Sequence, residues 1–204
     1  MSSPEGSVQV SSTGRLEAFS DGVFAIAITL LVLELHVPED TGHLLQSLLA
    51  LGWSYGAYVV SALLIGLIWA NHHAMFERIE RADRPLQFLN TLLLMNVAFL
   101  PFVTAVLAAA LRTGEGQAVA AVAYGLTLTV GGVFFNGIWS YARRRALLGA
   151  GTTDSAARSI ERRFLVGPAL YALATLIAAF IPVLGLVIFA GMILFYWLPV
   201  PGQR

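Results

Sequence analysis

No cysteine and no lysine occur among the 204 residues, and only 12% of the chain is charged. The missing thiols remove disulfides, thiolate nucleophiles and sulfur-ligated metals together. All 12 basic residues are arginine, balanced by 12 acidic ones, so there is no basic excess with which to hold nucleic acid. Enzyme signatures are missing as well: no GxSxG, no HExxH, no Walker-type glycine loop and no pair of carboxylates on one apolar helix. These absences predict a protein that is not an enzyme and carries neither cofactor nor metal. What is abundant is apolar. The chain is 57% hydrophobic with a mean hydropathy of +0.76, a composition that predicts a polytopic membrane protein in contact with lipids.

Residues 1–13 are rich in Ser and Gly and hold no Lys or Arg, so they read as a disordered cytosolic tail and not as a cleaved signal peptide. Residues 14–204 read as one all-α unit of six transmembrane helices, at about 15–35, 44–71, 86–111, 118–141, 164–181 and 183–200. The first has 21 residues, roughly 31 Å at 1.5 Å per residue, which matches the hydrocarbon thickness of a bilayer. Aromatics stand at both ends of the second, Trp53, Tyr55 and Tyr58 against Trp69, as two interfacial belts require. Pro101 is expected to kink the third helix or remove one of its hydrogen bonds. Gly125, Gly131, Gly132 and Gly137 give the fourth close-packing faces. Thr153 or Asp154 caps a polar helical extension through Arg163, and Pro182 marks the turn into the last helix. Pro199 and Pro201 close that helix.

The arginines set the orientation. Arg78, Arg81 and Arg84 follow the second helix; Arg143, Arg144, Arg145, Arg158, Arg162 and Arg163 follow the fourth. Only Arg112 lies in the opposite loops, which hold Glu39, Asp40 and Glu115. The positive-inside rule then places both termini in the cytoplasm. The run 143–145 reads as that topology signal or as a contact for lipid head groups.

Within the first helix, Ile26, Leu30 and Leu33 fall at i, i+4 and i+7, one stripe, with Thr29 beside it. Spacing alone leaves this stripe as a packing surface or a lining. Asp21 lies one turn inside the apolar span, where a carboxylate costs on the order of 2.5–3.5 kcal/mol on insertion scales, so it must face protein or water.

Two motifs carry a resemblance. Arg15, Phe19, Ser20 and Asp21 form RxxxFSD at the start of the first helix, and Trp69, Asn71, His72 and His73 form WxNHH at the end of the second. Together they resemble the endosomal and lysosomal potassium channel family (transmembrane protein 175) in its prokaryotic, single-unit form. The resemblance implies a homotetramer in the cell membrane, a passive potassium-preferring pore lined by the first helix, and permeant K+ ions. It also implies a hydrophobic gate at Ile26, continued by Leu30 and Leu33, with Thr29 supplying a hydroxyl for selectivity. The TVGYG filter is missing, so discrimination would have to arise in that other way. The eight motif residues Arg15, Phe19, Ser20, Asp21, Trp69, Asn71, His72 and His73 would form a structural network at the base of the pore helix. Asp21 there would receive donors from Trp69, Asn71 or the histidines, with Arg15 as counter-charge. A metal site at His72 and His73 is disfavoured, because neighbours on a helix diverge by about 100°. Asn90, Asn96 and Pro101 read as packing and kink features, and Glu34 as a helix-end carboxylate. The alternative function is a proton-coupled secondary transporter using Asp21 with His72 and His73.

Overall fold

The computed structural model describes residues 11–38 and 41–197. Two short strands, β1 (Ser11–Ser12) and β2 (Arg81–Ala82), accompany seven helices: α1 (Gly14–Leu33), α2 (Leu44–Ala50), α3 (Gly52–Phe76), α4 (Arg84–Thr113), α5 (Gln117–Arg144), α6 (Asp154–Phe180) and α7 (Pro182–Trp197). Five of them, α1, α3, α4, α5 and α6, are long and apolar enough to cross a membrane. Among the described residues the chain is therefore a helical membrane protein with five candidate spans. The sixth expected span, 183–200, falls on the apolar helix α7, which is described as far as Trp197. Pro199 and Pro201 lie outside the described residues.

The expected helix at 44–71 is divided. Its 28 positions would have run about 42 Å as a single helix, longer than a bilayer needs. The helix instead breaks at Leu51, whose backbone leaves the helical region ahead of Gly52. None of the residues of α2 is buried, so this apolar turn lies on the outside of the bundle. The helix α3 then continues to Phe76, five residues beyond the expected end.

Helix ends follow local chemistry. The Asp83 carboxylate accepts from the Leu86 N–H at 3.0 Å, and Pro85 sits in the first turn of α4, where a missing N–H costs nothing. Gly114 ends α4 with φ +79, the left-handed conformation that glycine alone adopts freely. Thr153 caps α6 by accepting from the Ala156 N–H. Pro101 lies buried inside α4, which continues as one helix from Arg84 to Thr113.

The helices α1, α3 and α4 pack on one another, α5 packs on α4, α6 on α5, and α7 on α6 with lesser contacts to α3 and α5. Trp139, Tyr124, Phe24, Phe76 and Phe189 are the largest fully buried side chains. Close packing uses glycine where expected: a Cβ on Gly125 would collide with Thr175 and Phe189, and one on Gly132 would stand 2.7 Å from Pro168. Polar ties are internal too. Thr104 donates to Ser61 Oγ at 2.8 Å and Ser61 shares 2.9 Å with the Tyr124 hydroxyl, joining α3, α4 and α5.

The arginine-rich end is ordered by more than charge. Ser11 and Ser12 pair antiparallel with Ala82 and Arg81, so the tail expected to be disordered over 1–13 ends in a strand, and Thr13 is buried. Residues 1–10 lie outside the described set. The loop after α3 also meets the loop after α5: Ile79 bridges Leu148, Arg81 Nη2 donates to Ala146 O at 2.6 Å, and Tyr141 donates to Asp83 at 2.8 Å. In the 143–145 run, Arg143 pairs with Glu161 at 2.9 Å and with Asp154 at 3.5 Å. Arg144 and Arg145 stay exposed. Arg143 thus ties α5 to the polar start of α6.

Candidate functional site

The candidate site is α1, held at its N-terminal half and bare along one face. Ser20, Phe24, Ala27 and Leu31 form its buried stripe, spaced at i, i+4, i+7 and i+11. A second stripe, about 100° round the helix, carries Phe19 at 60% exposure, Ile26 at 60%, Leu30 at 40% and Leu33 at 71%, with Thr29 also exposed. The Thr29 hydroxyl donates to Ile26 O at 2.8 Å, which commits its proton to the helix and leaves the oxygen lone pairs as the free polar feature of that face. Glu34, half-buried, forms the C-cap of α1.

At the base of α1 a one-directional chain of hydrogen bonds crosses three helices. His72 Nε2 and Asn90 Oδ1 are 2.9 Å apart, Asn90 Nδ2 donates to Ser20 Oγ at 2.9 Å, and Ser20 Oγ donates to Leu16 O at 2.8 Å. With its amide nitrogen engaged by Ser20, Asn90 must accept from the His72 N–H, which fixes the tautomer. All three side chains are buried, Asn90 and Ser20 completely. The imidazole stacks on Phe76 at 4.4 Å between ring centres and meets Phe24 at 5.4 Å, so aromatic rings close it off from solvent.

Asp21 stands apart from this chain. It is exposed in the subunit and accepts one bond, from the Trp69 indole N–H at 2.8 Å. Trp69 stacks on His73, ring centres 6.1 Å apart.

The expected network is corrected in several members. Asn71 donates to Leu67 O of its own helix at 2.8 Å and not to Asp21, because its amide lies one turn above that carbonyl. His72 turns inward to Asn90, while His73, one residue and about 100° further round the helix, points outward and sits 3.8 Å from Glu77. Arg15 is exposed, and no ion pair joins it to Asp21 among the described residues. Phe19 lies a heptad before Ile26, on the bare face, and so takes no part in the network. Asn90, read from sequence as a packing feature, is instead the bridge. The available signal was its chemistry: a carboxamide in an apolar membrane helix is expected to face the bundle and find partners.

The apolar helices and the buried polar joint between three of them define an integral membrane protein built as a helical bundle. Residues 15–101 match the family described as "Endosomal/lysosomal potassium channel TMEM175". The chain is 46% identical over 161 residues, 78% of each chain, to a potassium channel of Streptomyces collinus. It is 43% identical over 169 residues, 80% of this chain and 83% of the other, to a potassium channel of Chamaesiphon minutus. The crystal structure of a lysosomal potassium-selective channel TMEM175 homolog from Chamaesiphon minutus superposes with a TM-score of 0.81 at 38% identity, covering 90% of this chain and 95% of that one. The chain belongs to the TMEM175 family, a family of ion channels.

Proposed function

We propose that this chain is the subunit of a potassium-conducting channel whose pore is lined by α1, passing ions passively down their gradient. The observation that carries this reading is the bare stripe of α1, with Ile26, Leu30 and Leu33 exposed while the adjoining stripe from Ser20 to Leu31 is packed into the bundle. One helix cannot enclose a pore with one face, so symmetric copies are required, and a homotetramer satisfies this. In that assembly Ile26 is the gate: a ring of aliphatic side chains cannot replace an ion's hydration shell, so it dewets and blocks ions until it widens. Leu30 and Leu33 continue the apolar lining, and the exposed Thr29 oxygen supplies the selective layer. The naming of two bacterial relatives as potassium channels supports the choice of ion. The arginine-rich end faces the cytoplasm; with α7 completing a sixth crossing both termini lie there, and the bacterial relatives support the prokaryotic cell membrane.

Purified protein reconstituted in planar bilayers under a potassium–sodium gradient tests the reading. The expected result is a current that reverses toward the potassium equilibrium potential and needs no proton gradient. Silence, or flux that requires a coupled proton through Asp21 and the histidines, would overturn it. Light scattering of the detergent-solubilised protein should give four copies.

A further inference from the structure

Away from α1, a cavity of about 90 Å³ opens between α3, α4, α5 and α6. Its walls are mostly Leu67, Leu93, Val97, Leu128, Phe135 and Phe164, and Asn136 and Arg163 also line it. Asn136 is 7% exposed, and its amide nitrogen is fully used: it donates to Gly132 O at 2.9 Å and to Phe164 O at 2.8 Å. This fixes the amide's orientation, since a flipped oxygen would face two carbonyls. Oδ1 is thereby left buried with no partner. A buried acceptor without a donor costs on the order of 1–3 kcal/mol, so the position calls for a ligand that brings one. Phe164, which Asn136 contacts, is adjacent in sequence to Arg163. Arg163 is exposed and has no acidic partner within 4 Å among the described residues. A free guanidinium, a buried lone acceptor and an apolar chamber therefore adjoin at the arginine-rich boundary of the bundle.

We propose that this cavity binds the interfacial end of an anionic lipid. The phosphate sits on Arg163, whose planar fork suits a phosphate oxygen pair. A hydroxyl near the phosphate donates to Asn136 Oδ1, and the first methylenes of an alkyl chain enter between Val97 and Phe135. The enclosed volume, about three water-sized groups, admits that end and not a whole acyl chain, so the rest of the lipid lies along the open mouth. Two sources share this chemistry: a diacyl lipid with a glycerol head group, or a single-chain lysophospholipid with its free glycerol hydroxyl.

Native mass spectrometry of the solubilised full-length protein, titrated with palmitoyl-oleoyl phosphatidylglycerol, oleoyl lysophosphatidic acid or palmitoyl-oleoyl phosphatidylcholine, tests the site. The parent should retain one or both anionic lipids in preference to phosphatidylcholine, and the better retained of the two identifies the source. Arg163→Gln should lower that occupancy about tenfold, as expected for losing a charge-assisted bond, while Arg144→Gln, an exposed arginine on the same side, should not. Asn136→Ala should weaken binding about fivefold through the lost hydroxyl contact; Arg163→Gln, at an exposed position, keeps the test decisive where Asn136→Ala fails to fold. Equal retention of anionic lipid and phosphatidylcholine by the parent, or equal losses in Arg163→Gln and Arg144→Gln, would overturn the proposal and leave the cavity to water.

Discussion

Replacing Asn90 by alanine should destabilise the subunit more than replacing Asp21 of the RxxxFSD motif. Asn90 is fully buried and bonds both His72 and Ser20 at 2.9 Å. The substitution leaves the His72 N–H without an acceptor inside the bundle, a cost of about 1–3 kcal/mol. It also removes the donor to Ser20, though that hydroxyl keeps Leu16 O as its own acceptor, so this loss adds only about 0.5–1 kcal/mol. The combined cost is about 3 kcal/mol, or roughly 6–12 °C in melting temperature for a chain of this size. Asp21→Ala removes one exposed bond, from Trp69, and should cost no more than about 1 kcal/mol. Melting curves of the two variants in the same detergent, followed by tryptophan fluorescence with size-exclusion profiles, give the comparison. If Asn90→Ala melts with the parent while Asp21→Ala falls by several degrees, the buried chain is not what fixes α1 and the reasoning fails.

Other perturbations have equally direct readouts. Ile26→Ala and Ile26→Asn should raise single-channel conductance by widening or wetting the ring; unchanged conductance in both would remove Ile26 as the gate. Thr29→Val keeps the shape but deletes the exposed oxygen, so the potassium–sodium bi-ionic reversal potential should move toward zero, and an unmoved potential would exclude the hydroxyl from selection. Gly125→Ala places a methyl against Thr175 and Phe189, which should cost about 1–3 kcal/mol by overpacking and lower the melting temperature; a neutral result would mean that α5 and α6 part easily. Asp83→Ala removes both the cap of α4 and the acceptor for Tyr141, and should raise hydrogen exchange across 79–84 and 146–149 together, whereas exchange confined to the first turn of α4 would refute coupling of the two loops.

Periodicity and length made most of the bundle legible. Long apolar runs bounded by arginines, glycines and prolines gave α1, α4, α5 and the apolar part of α6 to within a few residues. The break at Leu51 was not legible, because the residues on both sides of it are apolar and equally suited to continuing a helix. Nor was β1, since the pairing of Ser11 and Ser12 with Ala82 and Arg81 joins segments some 70 residues apart and depends on backbone alone. At the site, the Ile26, Leu30 and Leu33 stripe of α1 could be read from the 3.6-residue period, but neither which way it faces nor the partner of each polar group could. Asn71 satisfied itself on Leu67 O, as side chains of its kind do within helices, whereas Asn90 reached across to two other helices. Which of the two occurs depends on helix rotation about the bundle, and no local pattern encodes that.

Two exposed polar residues of α1, Asp21 and Thr29, bear on whether its bare side meets lipid or water. A face turned to lipid would leave Asp21, exposed and holding a single indole donor, in or at the edge of hydrocarbon. Asp21 is seven residues along α1, about 10 Å from its first residue, and a carboxylate that far into a span is tolerated only beside water or protein. Trp69 cannot supply this alone, because a carboxylate has about four acceptor sites and the indole offers one donor. The exposed Thr29 oxygen would be wasted against acyl chains in the same way. The proposed assembly meets both needs differently: Thr29 adjoins the Ile26, Leu30 and Leu33 stripe, whereas Asp21, about 140° round the helix from Ile26, needs protein or water on its own side. The polar residues that look misplaced on an isolated subunit thus support the proposed assembly around α1, in which the Ser20–Asn90–His72 chain would set the rotation of the helix.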